Sequence, residues 1–231
     1  MSIRLAGKFA PNMEDIERTV DQGFDAFEIF LTTKHLEDVD ASAKILNEAK
    51  KRFNISIVSV HTPHTPEVDL YTERTKSLAK KVGIPIIVFH NGFIPEMFAE
   101  DVLRKVEKGM VIENGGKEGT DDLEHIAEVI ERGFKICLDV AHFKITCQRM
   151  GKDYYSDLET LMKENSEGIG LIHYNDTDGE VDNLGIGEGI LDHRKVLASI
   201  SKYYSGTMII EVDRDKQGEG KRAVEKILKQ L

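Results

Sequence analysis

The sequence predicts an α/β fold in which residues 1–231 close into a single (β/α)8 barrel domain, with the active site at the C-terminal mouth of the strands. Three observations predict it. Short apolar runs alternate with longer amphipathic stretches eight times along the chain. Several of the short runs are continuously apolar, as parallel strands buried on both faces require. Shared among eight units, 231 residues leave about 29 per unit, near the lower limit for such a barrel. A doubly wound open sheet is the competing arrangement. No Ser/Gly/Pro-rich linker divides the chain, so one domain is expected.

In order, strands are expected at Ile3–Ala6, Ala26–Leu31, Ile55–Val60, Ile84–Phe89, Met110–Ile112, Phe134–Leu138, Gly170–Ile172 and Thr207–Ile210. Eight helices lie between and after them. One is expected over Glu67–Val82, because Thr65 is an N-cap candidate and Pro66 suits the first helical position. The last places Val224, Ile227, Leu228 and Leu231 on one face at helical spacing. Glycines 23, 83, 109, 133, 168 and 206 each fall shortly before a strand, where a left-handed C-cap would end the preceding helix. The segments Gln22-Gly23-Phe24 to Glu28 and Arg132-Gly133-Phe134 to Asp139 echo one another, as two similar helix-to-strand turns would.

Composition excludes several classes. Hydrophobic residues at 40% and charged residues at 31% are ordinary for a folded globular chain. Apolar stretches such as Ile84–Phe89 are of strand length, so no membrane association is expected. The N-terminus lacks a basic segment followed by an apolar one, and a cytoplasmic location is expected. A net charge of −10 argues against a nucleic-acid partner, because a field of that sign repels phosphates. Cys137 and Cys147 lack zinc-ribbon spacing and are expected as free thiols.

The informative residues are those that end the apolar runs. They are His61, His90, Glu113, Asp139, His173 and Glu211, with His142 three residues past Asp139 and Asp176 three past His173. Successive gaps of 23 to 38 residues each span about one βα unit. In a parallel barrel such positions ring one mouth. Imidazoles and carboxylates are the donors that hold divalent metals. Each residue alone has a plainer reading: a His there can be a hydrogen-bonded structural residue, and Asp139 or Asp176 can cap a helix. Six consecutive strands ending this way favour a metal site, because so much buried charge is costly without a cation. His35 and His125 read as surface residues, and His64 and His193 are left open. Gly185-Ile186-Gly187-Glu188-Gly189 lacks the context of a phosphate loop.

With these residues in place, the sequence resembles the xylose-isomerase-like TIM barrels, a superfamily of sugar isomerases and epimerases that also includes endonuclease IV-type abasic-site nucleases. The resemblance runs over nearly the whole chain. It is carried by Gly23-Phe24-Asp25-Ala26-Phe27-Glu28, Val60-His61-Thr62-Pro63, Val88-Phe89-His90-Asn91-Gly92 and Ile112-Glu113-Asn114. It continues through Cys137-Leu138-Asp139-Val140-Ala141-His142, Ile172-His173-Tyr174-Asn175-Asp176, Gly187-Glu188-Gly189 and Ile210-Glu211. For epimerase-type members it implies one divalent metal held at Glu113, Asp139, His173 and Glu211, with His142 contacting substrate. For nuclease members it implies a first zinc site at His61, His90 and Glu113 and a second at Glu113, Asp139, His173 and Glu211. A third would use His142 with an Asp and a His in the loop before Gly-Glu-Gly. That loop reads Asp182-Asn183 here, so Asn183 stands where the His is expected. The Arg that follows the seventh-strand His in some ketose epimerases is also absent from Asp176-Thr177-Asp178-Gly179. Clustered Lys/Arg near the mouth is limited to Arg149 with Lys152 and Arg194 with Lys195.

The expected function is therefore a divalent-metal-dependent (Mn2+, Co2+, Mg2+ or Zn2+) isomerase or epimerase of a small sugar or sugar phosphate, working through a metal-bound enediolate. Glu113 and Glu211 would be acid/base residues as well as ligands, Asp139 and His173 ligands only, and His142 would orient a substrate hydroxyl. The alternative is an endonuclease IV-like zinc phosphodiesterase acting on abasic-site DNA. A non-catalytic binding barrel is the third reading. Substrate specificity is expected around Glu28, His64, Phe93 and Phe143, and a homo-oligomer is left open.

Overall fold

The computed structural model describes residues 3–90, 92–94, 96–115 and 121–231. Eight parallel strands form a closed barrel in sequence order, with the first strand paired to the second and to the last. They are β1 Arg4–Phe9, β2 Ala26–Phe30, β3 Ser56–His61, β4 Ile86–Phe89, β5 Met110–Glu113, β6 Ile136–Asp139, β7 Ile169–Tyr174 and β8 Thr207–Ile210. Closure rules out the open sheet. Each expected strand is present, with ends displaced by up to three residues. The largest displacement is at β1, which continues past Ala6 through Gly7, Lys8 and Phe9. Asn91 lies outside the described residues.

Nine α-helices pack around the barrel among the described residues: α1 Met13–Asp21, α2 Val39–Phe53, α3 Val68–Val82, α4 Glu100–Leu103, α5 Leu123–Glu131, α6 Val140–Arg149, α7 Tyr154–Asn165, α8 His193–Tyr203 and α9 Gln217–Leu228. One more than expected appears because two helices, α6 and α7, fill the long connection from β6 to β7. Asx caps start many of them. The side chains of Asn12, Asp38, Asp122, Asp139, Asp153 and Asp192 each accept a backbone N–H of the first turn. The third helix starts at Val68, one residue later than expected, because Thr65 Oγ1 accepts from Glu67 N–H and folds the chain before the helix begins. Leu231 is exposed and lies past the end of α9, off the buried face that carries Val224.

The expected left-handed glycine turns hold at Gly23, Gly83, Gly109 and Gly133 but not at Gly168 and Gly206. Those two are glycine for space: a Cβ would run into the Ile130 side chain at Gly168 and the Tyr204 ring at Gly206. The echo between residues 22–28 and 132–139 is a pair of like turns, with φ of 89° at Gly23 and 93° at Gly133.

Most of the core lies between the strands and the helices. A second, small cluster fills the barrel itself: Ala6, Ala26, Val88, Val111, Cys137, Leu171 and Ile209, with Val58 and Ile86 against it. Each strand contributes to this plug, and side chains alternate along a strand. Register shifts adjust two strands. Val58 is the extra residue of β3 against β2, and Gly170 the extra residue of β7 against β6. Gly170 has no side chain, which leaves room for Val111. Cys137 and Cys147 are buried free thiols. Among the described residues no helix is long and apolar enough to cross a membrane.

Leu171 is wholly buried in the plug. Leu171→Ala is expected to lower unfolding free energy by about 2–5 kcal/mol, read as an earlier midpoint in urea denaturation.

Candidate functional site

Two residues beyond the plug, the inward positions turn polar. Ala6 leads to Lys8, Ala26 to Glu28, Val88 to His90, Val111 to Glu113, Cys137 to Asp139, Leu171 to His173 and Ile209 to Glu211. On β3 the extra residue moves the series by one, so Val58 is followed by Ser59 and His61. The structure thus brings all six predicted strand-end residues into one ring. Glu28, which the sequence placed after the Ala26-Phe27 run, joins them, and the structure adds Lys8. All eight are buried apart from Glu211, which keeps slight exposure.

His173 sits at the centre. Its Nδ1 is 2.7 Å from Glu113 Oε1 and 2.5 Å from Glu211 Oε2, while its Nε2 is 3.1 Å from Glu28 Oε1. Burial would lower the His173 pKa, but Cys137 and the carboxylates of Glu211, Glu28 and Glu113 outweigh it and hold it well above the usual value. Burial would raise Glu113, but His173 and His90 hold its carboxyl well below the usual range. Asp139 accepts from the His142 backbone N–H at 2.8 Å and from Asn175 Nδ2 at 2.9 Å. Burial dominates there and pushes the Asp139 carboxyl above the usual range.

Hydrogen-bond geometry shows what this set lacks. One N–H on His173 Nδ1 cannot serve two carboxylates, and Glu211 Oε2 comes to 2.5 Å yet is left without a hydrogen bond. His61 directs Nδ1 at the Thr62 carbonyl (2.7 Å) and Nε2 at Glu113 Oε2 (2.9 Å), so both ring nitrogens face acceptors. His90 Nδ1 is buried, has no hydrogen-bond partner and lies 4.0 Å from Glu113 Oε2. One donor atom from each of Glu113, Asp139, His173 and Glu211 fits within a 4.8 Å span, and so does one from each of His61, Glu113 and His173. Ligand bonds of about 2.0–2.4 Å place opposite donors about that far apart. The residues present fit a divalent cation.

Around the ring, His142 places Nδ1 2.9 Å from the Asn114 carbonyl and Nε2 2.7 Å from Asp182 Oδ2. Burial opposes its charged form, but Asp139 and Asp182 hold its pKa well above the usual value. Asn183 is left-handed (φ 59°), and its Oδ1 accepts from Asn175 Nδ2 at 3.2 Å. The His64 ring lies 4.8 Å from that of His90, and burial, with His61 as neighbour, pushes its pKa down to about 4. Beside Glu211 opens a pocket of about 210 Å³ lined by Lys8, Phe30, Asn183, Arg214 and Gln217.

The family profile of the xylose isomerase-like TIM barrel matches residues 16–231. The chain belongs to that family. No curated protein matches it in sequence. Among solved structures, a D-tagatose 3-epimerase-like protein superposes with a TM-score of 0.71 at 20% identity, covering 97% of both chains. A xylose isomerase domain protein from Planctomyces limnophilus gives 0.69 at 14% identity, covering 100% of this chain and 97% of the other. Endonuclease IV from Thermus thermophilus gives 0.65 at 16% identity, covering 99% and 100%. At these identities the likeness is one of fold, and that fold is common to epimerase-like and nuclease relatives.

Within this family member several expected roles change. Glu28, expected near the specificity region, is a wholly buried member of the ring. Phe143 is also fully buried and packs on Tyr154, so it lines no mouth. Phe93 is exposed, as expected of a rim residue. Asp176 faces away from the ring. It accepts the backbone N–H groups of Thr177, Gly187, Gly189 and Leu191 and pairs with His193 Nε2 at 2.8 Å. That settles His193 as a structural histidine, since Tyr174 Oη also meets its Nδ1 at 2.8 Å. His125 is exposed and His35 half-buried. Lys152 is committed to Asp122 and Glu124, so it supplies no free charge for a phosphate track. Lys8 escapes the sequence reading because the expected first strand stops at Ala6; continuing the two-residue alternation would have found it.

Because this donor set is assembled only in the folded chain, adding Mn2+ or Zn2+ to chelator-stripped protein is expected to raise Tm. About 2.7 kcal/mol of stabilisation corresponds to an ion at a hundred times its Kd. Differential scanning calorimetry at fixed protein concentration checks it.

Proposed function

We propose that this protein is a divalent-metal-dependent isomerase or epimerase of a sugar or sugar phosphate, working by proton transfer at a carbon next to a carbonyl. The observation that carries the reading is the convergence of Glu113 from β5 and Glu211 from β8 on His173 Nδ1, with Asp139 in the same donor set. A bound ion would polarise a carbonyl and its neighbouring hydroxyl and offset the charge that develops as the proton leaves. Asp139 and His173 act as ligands only. Glu113 and Glu211, reaching in from different strands, hold carboxylates that take the proton from the substrate carbon and return it. Return by the same residue to the neighbouring carbon, with a proton passing between the two oxygens, isomerises; return by the other residue to the opposite face of the same carbon inverts the centre. His142 engages a substrate hydroxyl by exchanging its contact with Asp182, which lies on a partly exposed loop. The substrate is a small sugar rather than nucleic acid, the setting cytoplasmic.

One observation favours the phosphodiesterase reading: the second donor group of His61, Glu113 and His173, with His90 Nδ1 unpartnered beside it. Against it stand the net charge of −10 and Asn183 at the third-site position.

The test is hydrogen exchange. Metal-loaded protein is incubated in D2O with a panel of ketoses, aldoses and their phosphates, and products are read by mass spectrometry. Deuterium is expected at the carbon next to the carbonyl of one substrate. Glu211→Ala is expected to lower exchange at least about 100-fold while leaving the fold intact. Full activity in Glu211→Ala removes its acid/base role. Cleavage of duplex DNA at an abasic site, with no exchange into any sugar, replaces this reading with the phosphodiesterase.

A further inference from the structure

The ring contains one lysine, and its place is unusually well determined. Lys8 Nζ donates to Glu211 Oε1 and stands 3.1 Å from Glu28 Oε1, with its side chain only 10% exposed. Its backbone is clamped from the far end of the chain. Lys8 N–H donates to Gln217 Oε1 at 2.7 Å, and Gln217 Nε2 donates to the Lys8 carbonyl at 2.8 Å. Gln217 begins α9 and is itself buried. Glu28 is held in turn by Ser59 Oγ at 2.7 Å and faces His173 Nε2 through both oxygens, at 3.1 and 3.3 Å.

A single network therefore links Gln217, Lys8, Glu28 and His173, with a branch from Lys8 to Glu211. Two of the four groups that face the ion site, His173 and Glu211, are tied to the same ammonium. A carboxylate behind a ligating imidazole sets which ring nitrogen carries the proton and how the ring points. Holding one oxygen of Glu211 leaves the other turned towards His173 Nδ1. We propose that Lys8 is a positioning residue of the ion site, fixing Glu211 directly and His173 through Glu28. The inference rests on the metal-site reading above.

Two roles for this lysine predict opposite signs. As a mere positive charge beside the site it repels a divalent ion, and its removal tightens binding. As a strut it keeps ligands in place, and its removal loosens binding. The experiment measures the Mn2+ Kd of metal-free wild type and Lys8→Met by competition with a chelating dye, with the crystal structure of metal-free Lys8→Met as a second readout. Weakening of about 10- to 100-fold is expected, with the Glu211 carboxylate displaced from His173 Nδ1. Unchanged or tighter binding with Glu211 in place overturns the proposal. If Lys8→Met does not fold, the double variant Lys8→Met/Glu28→Gln, which removes a buried carboxylate along with the ammonium, is read by the same two criteria. Wild-type protein that takes up no Mn2+ overturns the metal-site reading instead, and the crystallographic position of Glu211 then decides the role of Lys8 by itself.

Discussion

Buried negative charge is the constraint on which this molecule turns. Glu28, Glu113, Asp139 and Glu211 meet in the neck of a closed barrel, where a carboxylate without a partner costs several kcal/mol. Lys8 and the imidazole of His173 offset part of it. The remaining geometry, with a carboxylate oxygen 2.5 Å from an imidazole nitrogen and no hydrogen bond to it, suits a cation among the donors. Much of the surrounding structure serves this neck. Asp139 both caps α6 and faces the ring, Asn114 ties β5 to β6, and Gln217 clamps β1.

The barrel interior sets the height of the ring. A plug of small and branched side chains closes the lower layer, so the next inward layer is the mouth. Ala6 and Ala26 are small, and directly above them stand the long side chains of Lys8 and Glu28. The extra residue in β3 puts both Val58 and Ser59 inside, which gives Glu28 its hydroxyl partner and still turns His61 inward. The loop before α8 is organised separately by Asp176, whose backbone hydrogen bonds shape the Gly-Glu-Gly segment without touching the ion site.

The fold was legible because its periodicity is strong: continuous apolar runs, glycine turns and a steady βα spacing all agree. Six ring members were legible for the same reason, each standing where an apolar run stops. What was not legible depended on non-local packing. Lys8 belongs to a strand end held in place by Gln217, more than two hundred residues away, and the apolar run that announces β1 breaks off before it. Gly168 and Gly206 look like the other turn glycines in sequence, yet the side chains of Ile130 and Tyr204 are what require them. Phe143 is one residue from His142 but turns about 100° round α6, which carries it into the core.

The central claim is that the ring is built around one divalent ion held by Glu113, Asp139, His173 and Glu211. Native mass spectrometry of protein purified with zinc, manganese, cobalt and magnesium all present tests it most directly. The account predicts about one readily exchanged ion per chain, manganese or cobalt by preference. Two or more tightly held zinc ions per chain, or none, would contradict it.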